Sequence, residues 1–191
     1  MKRYLNRITI MYFLVLLTGC GQDIEDPLNW KVAELEAINQ EGEEVRLADL
    51  KGKVWIADFI FTNCATVCPP MTANMARLQE RLKEKRLDAE IVSFSVDPGV
   101  DTPKILKDYI SKYDADLSTW HMLTGYSQEF IEEYALKNFK TIVKKPDLDN
   151  QVLHGTSFYL IDKDGTIIKS YDGMDVPYED IIEDVGILTN S

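Results

Sequence analysis

The run Val54-Trp55-Ile56-Ala57-Asp58-Phe59-Ile60-Phe61 is apolar at every position but one. A stretch this continuous has no polar face to offer water. It reads as a strand buried on both sides, of the kind found in the middle of a parallel sheet. It leads directly into Thr62-Asn63-Cys64-Ala65-Thr66-Val67-Cys68-Pro69-Pro70-Met71, and apolar residues then recur at Met75, Leu78 and Leu82. That is a helical period, predicting a helix over about 69–87. Two prolines at its start suit the first turn, where a missing N–H costs little. The order is therefore strand, thiol-bearing turn, helix, with the helix opening at the second thiol. A helix N-terminus carries partial positive charge, which favours thiolate over thiol. Cys64 and Cys68 stand at i and i+4 and so share a face. They can close a disulfide or hold a soft metal ion.

At the start of the chain, Met1 to Arg7 holds three basic residues and no acidic one, and Ile8 to Leu17 is almost wholly apolar. A basic region, a short apolar core and small residues make an export signal. The apolar run is too short for an ordinary span of about 20 residues. Its end, Leu17-Thr18-Gly19-Cys20, resembles the lipobox of bacterial lipoproteins. That resemblance implies removal of residues 1–19 and a lipid thioether on Cys20. The other reading is a short uncleaved anchor. Both place the domain on the extracytoplasmic face of the bacterial plasma membrane. Residues 20–28 then form a tether, and 29–191 the folded domain. That compartment is oxidising, so Cys64 and Cys68 rest as a disulfide unless something reduces them.

With 191 residues there is enough chain for one domain with a proper core. Three cysteines are too few for a disulfide scaffold. The net charge is −11. Without residues 1–19, which hold Lys2, Arg3 and Arg7, 18 basic residues face 32 acidic ones, a net −14. Such a domain repels nucleic acid and attracts cations.

Trp30, Val32 and Leu35 before Asn39-Gln40-Glu41-Gly42, with Val45 and Leu47 after it, read as a two-strand entry around a turn. Glu90 to Val96 reads as a second parallel strand. Asp101 or Thr102 caps a helix with Pro103 in its first turn, and Ser127 caps another over 128–138. Trp120 to Leu123 is a short strand between them. Phe139 to Leu153 is an insertion rich in Lys, Asp and Pro, with Thr141–Val143 and Gln151–Leu153 able to pair and Lys144-Lys145-Pro146 read as a solvated loop or a gate. Ser157–Ile161 and Thr166–Tyr171 flank Asp162-Lys163-Asp164-Gly165, a hairpin signal. That turn is not a calcium loop, because Gly165 comes too early and the twelfth position is Gly173. A helix over about 177–187 closes the chain. Alternating strands and helices argue an α/β fold with a mainly parallel sheet, to which the closing hairpin adds antiparallel edges. With the dithiol between the first central strand and its helix, the chain resembles a thioredoxin-like fold, with an N-terminal β extension and an insertion before the penultimate hairpin.

In a thioredoxin-like sheet the loop before the strand Ser157–Ile161 faces the thiol loop, so His154 can join Cys64 and Cys68. Two thiolates and an imidazole form a soft-to-borderline donor set that suits copper in either oxidation state and also fits zinc. The other histidine, His121, stands between Trp120 and Met122 and reads as structural. Met71 and Met75 read as core residues at helical spacing. Asp97 reads either as a strand-end turn residue or as a support for the thiol loop or His154.

Three stretches carry a specific resemblance: Phe61-Thr62-Asn63-Cys64-Ala65-Thr66-Val67-Cys68-Pro69-Pro70-Met71-Thr72, then Phe94-Ser95-Val96-Asp97-Pro98-Gly99-Val100-Asp101-Thr102-Pro103, then Leu153-His154 ahead of Ser157-Phe158-Tyr159-Leu160. Together they resemble the Sco/SenC family over about residues 28–188, and with the lipobox they look closest to the Sco lipoproteins of Gram-positive bacilli. The resemblance implies a membrane-tethered copper protein that helps assemble the dinuclear copper centre of cytochrome c oxidase. It implies oxidase subunit II and a thiol reductant protein as partners. It also implies copper ligation by Cys64, Cys68 and His154. Unlike ordinary thioredoxins, the chain spaces its thiols by three residues and has Gly155 and Thr156, not proline, before Ser157. The rival reading is a thiol-disulfide reductase for the oxidase subunit, with Cys64 attacking and Cys68 resolving. A peroxidase is disfavoured, since no arginine follows the thiol motif before Arg77.

Overall fold

The computed structural model describes residues 24–146 and 151–190. The export segment and Cys20 lie outside the described residues. The Leu28 N–H donates to the Ile168 carbonyl at 2.9 Å, so the folded domain already holds the last residue assigned to the tether.

In chain order the elements are β1 (Trp30–Lys31), β2 (Glu36–Ile38), β3 (Glu44–Arg46), β4 (Trp55–Ile60), α1 (Cys68–Glu84), β5 (Glu90–Ser95), α2 (Pro103–Ile110), β6 (Trp120–Leu123), α3 (Gln128–Tyr134), β7 (Ser157–Ile161), β8 (Thr166–Asp172) and α4 (Tyr178–Asn190). The main sheet runs β1-β8-β7-β4-β5-β6. Strands β4, β5 and β6 are parallel. Strands β7, β8 and β1 each join antiparallel. All six residues of β4 are buried, as a continuous apolar run requires.

Three features depart from the sequence expectation. The closing hairpin is not confined to an edge: β7 lies inside the sheet, against β4. Its residues Phe158 to Ile161 are all buried, so it too needs cover on both faces. The entry holds three strands, because Trp30–Lys31 leaves the β2–β3 hairpin and pairs with β8. The insertion makes a single bridge, Lys144 with Leu153, in place of a strand pair. Pro146 lacks the N–H that a longer ladder would need.

The sheet sorts its side chains by alternation. On one face Phe59, Phe94 and Tyr159 pack with Phe139 from the π-helical turn after α3. The opposite face carries Ile56, Asp58 and Ile60, with Ser93 aligned to Asp58 and Leu160 aligned to Ile56. Helices α1 and α4 lie on that side. Asp184 of α4 accepts bonds from Tyr171 (2.6 Å) and Lys169 (2.8 Å) of β8, and α1 buries Cys68, Met71, Thr72, Met75, Leu78, Gln79 and Leu82 along one stripe. Helix α2 is capped by the Thr102 hydroxyl and α3 by the Ser127 hydroxyl. At the β6 edge, the Gln40 amide donates to the Trp120 carbonyl (2.9 Å) and accepts from the Met122 N–H (2.8 Å).

Candidate metal centre

The loop between β4 and α1 presents both thiols, and the segment before β7 returns His154 to them. One sulfur each from Cys64 and Cys68 and one ring nitrogen of His154 all lie within 4.8 Å of one another. Donors at about 2.3 Å (S) and 2.0 Å (N) from a shared ion sit at most about 4.6 Å apart. The three atoms therefore fit one ion after a contraction of a few tenths of an ångström.

Each donor is prepared by its surroundings. His154 Nδ1 sits 2.8 Å from the Gly155 carbonyl and donates to it, which leaves Nε2 unprotonated, 3.3 Å from Cys68 Sγ. Burial pulls the His154 pKa below its ordinary value, against that carbonyl contact, so the ring is neutral and able to ligate. The Phe61 ring meets the imidazole edge to face at 5.7 Å. Burial pushes the Cys64 thiol up, but the Cys68 side chain and the backbone N–H groups of residues 66–68 favour its thiolate more strongly, and the net shift is downward. The Cys68 N–H reaches Cys64 Sγ at 3.3 Å. These donors are the open end of α1, whose first N–H groups have no partners within the helix. Cys68 is the opposite case: fully sealed, its thiol is pushed well up by burial and by its bond with Cys64. The pair is thus polarised, with thiolate character on Cys64 and the proton on Cys68.

Two carboxylates hold the neighbouring loops. Asp101, fully buried, accepts from Thr62 N–H (3.2 Å), Thr62 Oγ1 (2.5 Å) and Ser95 Oγ (2.6 Å), so it ties the start of the thiol loop to β5. Asp97 is bound by Lys145 Nζ at 2.6 Å and holds the insertion. Glu132 accepts from Lys144 Nζ (2.9 Å) and Lys145 N–H (3.0 Å), and Gln151 Nε2 reaches the Asn63 carbonyl at 3.4 Å. Lys145 is therefore a fastener rather than a solvated loop residue. Gly155 has no room for a side chain, since a Cβ there would sit 2.3 Å from Thr141 Oγ1.

His121 bonds Glu90 Oε2 (3.0 Å) on β5, and Met71 and Met75 are sealed in the core. The sequence reading treated Asp101 only as a helix cap and Asp58 only as an interruption. The signal for Asp58 was there: an acidic residue inside an otherwise apolar strand. Both oxygens of Asp58 are buried without a hydrogen-bond partner, and burial pushes its pKa up to about 7 against the influence of Ser93.

A family model for SCO1/SenC proteins matches residues 27–190. A SCO1 protein homolog of Bacillus subtilis is 53% identical over 176 residues, 92% of this chain and 91% of that one. Among solved structures, a SCO1/SenC family lipoprotein from Bacillus anthracis matches with a TM-score of 0.85 and 53% identity, covering 87% of this chain and 99% of that one. BsSco, a member of the Sco family of cytochrome c oxidase assembly proteins, matches at 0.82 and 53%, covering 88% and 98%. Yeast Sco1 with copper bound matches at 0.68 and 25%, covering 82% and 89%.

Proposed function

Since the chain belongs to the SCO1/SenC family, we propose that it binds copper and serves the assembly of cytochrome c oxidase, as a carrier for the oxidase's dinuclear copper centre. The observation that carries this reading is the convergence of Cys64, Cys68 and His154, from segments 86 residues apart, within 4.8 Å. The names of its relatives agree: BsSco belongs to a family of oxidase assembly proteins, and yeast Sco1 was solved with copper. Two soft sulfurs favour Cu(I), and the imidazole accommodates Cu(II). The cysteines must be reduced before they ligate, so loading depends on redox state and on pH. Release then proceeds by exchange with the cysteines of oxidase subunit II, after a thiol reductant protein has reopened the pair.

The test is titration of the reduced protein with copper. His154→Ala should weaken Cu(II) binding at least about tenfold, the scale seen when even an outer partner of a metal site is lost. Unchanged affinity would sink the three-donor site.

One observation favours a second activity at the same residues. The polarisation of the pair, with Cys64 7% exposed and Cys68 sealed, is the arrangement of an attacking and a resolving thiol. A reductase acting on subunit II would keep its function in His154→Ala and lose it in Cys64→Ser, whereas a carrier would lose it in both.

Lipid attachment at Cys20 completes the proposal and places the domain at the outer face of the plasma membrane. The lipobox-like residues 17–20 support it, and the B. anthracis relative is named a lipoprotein. Cells fed labelled palmitate should label the wild-type chain and leave Cys20→Ala unlabelled; label on both would refute the anchor.

A further inference from the structure

Asp58 stands in the middle of the central strand with 0% exposure, and neither carboxylate oxygen has a hydrogen-bond partner. An uncompensated carboxylate at such a depth costs several kcal/mol, where an aliphatic residue would cost nothing. Burial accordingly lifts its pKa to about 7. Nothing in the packing of β4 calls for an acid there. The strand's other five residues are hydrophobic, and the opposite face is filled by aromatic rings.

What lies over Asp58 is α1, and with it Cys68. Alternation places Asp58 on the face that α1 and α4 cover. The charge of Asp58 disfavours the Cys68 thiolate, and that coupling helps hold the thiol protonated. Two acids that oppose each other's ionisation in a dry interior share one proton more readily than they lose two. The other polar groups on this side are committed or neutral. The Ser93 hydroxyl accepts from Trp120 Nε1 at 2.9 Å. Asp101 is held by Thr62 and Ser95, and Asp184 by Lys169 and Tyr171. Tyr109, which also feels Cys68, bonds Thr72 and stays protonated because burial raises it far above its usual range.

We infer that Asp58 is the proton acceptor for Cys68, taking the thiol proton when the Cys68 sulfur is called into bonding and returning it afterwards. The Cys68 S–H bond breaks and an O–H bond forms on the Asp58 carboxylate, directly or through one water. When the freed thiolate meets a cation, the proton stays inside the protein. A second buried negative charge is thereby avoided. When it closes on Cys64 held in a mixed disulfide, the new S–S bond forms between Cys68 and Cys64. The bond to the outgoing sulfur breaks, and that sulfur leaves as a thiolate with the electron pair. The inference deepens the dithiol chemistry proposed above. It extends the functional set from the three donor residues to a fourth that no donor geometry would reveal.

The test uses no metal, so copper binding and proton transfer fail independently. The reduced protein reacts with an aromatic disulfide whose thiolate is coloured. The first release marks attack by Cys64, and the second marks closure by Cys68. In the wild type, the closure rate should rise with pH around a midpoint near 7, as Asp58 becomes able to accept. Asp58→Asn should close at least about tenfold more slowly at pH 8, and its rate should climb only toward the thiol's own, higher range. If Asp58 acted merely as a neighbouring charge, its removal would ease Cys68 ionisation and closure would be faster; that result overturns the inference. So does an unaltered rate. If the variant does not fold, the wild-type profile alone decides: a closure rate flat between pH 6 and 8 overturns it as well.

Discussion

At the scale of single residues, the chain spends stability on chemistry at one position. A free carboxylate has a pKa of about 3.9, whereas burial holds Asp58 near 7. Between those values the folded protein binds a proton that the unfolded chain does not. Stability from this group is therefore greatest at acid pH and is lost as pH rises toward 7. Replacing Asp58 with Asn removes that slope. In denaturant unfolding of the reduced protein, the gain of Asp58→Asn over wild type should be larger at pH 8 than at pH 5 by about 2–3 kcal/mol. An equal gain at both pH values would mean that Asp58 is not ionising inside the fold. This residue also marks a limit of reading sequence. Cys64, Cys68 and His154 were legible because thiols and histidines are few and their spacing is informative. Asp58 and Asp101 were not, because a carboxylate's role depends on which donors surround it, and those come from β5 and the thiol loop.

At the scale of elements, local chemistry was readable and pairing was not. The caps at Thr102 and Ser127 and the proline start of α1 all stand where side-chain preferences put them. The place of β7 beside β4 depends on contacts about 100 residues apart, which no periodicity encodes. The insertion was misread for a related reason. Its cohesion comes from ion pairs reaching outward to Glu132 and Asp97, not from a ladder within itself. Asp97 is only 3% exposed at its side chain, so Lys145 neutralises a charge that water barely reaches. Lys145→Met should therefore destabilise the protein by about 1–3 kcal/mol. It should also speed limited proteolysis within residues 144–153 without slowing cleavage elsewhere. A protease pattern identical to wild type would remove Lys145 from the role of fastener.

At the scale of the whole molecule, charge is the dominant property. A domain with a net −14 gathers cations around itself before any donor touches one. Raising ionic strength from about 0.01 to 0.15 M shortens the screening length from about 30 to 8 Å. The association rate of copper ions with the reduced protein, followed by rapid mixing in sodium perchlorate, should fall over that range while the bound spectrum stays the same. A rate indifferent to salt would mean that the surface charge serves solubility alone.

The Gln40 amide has a consequence at this same scale. By occupying both the Trp120 carbonyl and the Met122 N–H, it gives β6 a substitute neighbour made from a side chain. A row of open backbone groups is what lets proteins zip together strand on strand. Here the row ends in a plug supplied by the chain itself, while the far border, β1, is only two residues long. Copies crowded against one another are thereby denied a template for fibre growth.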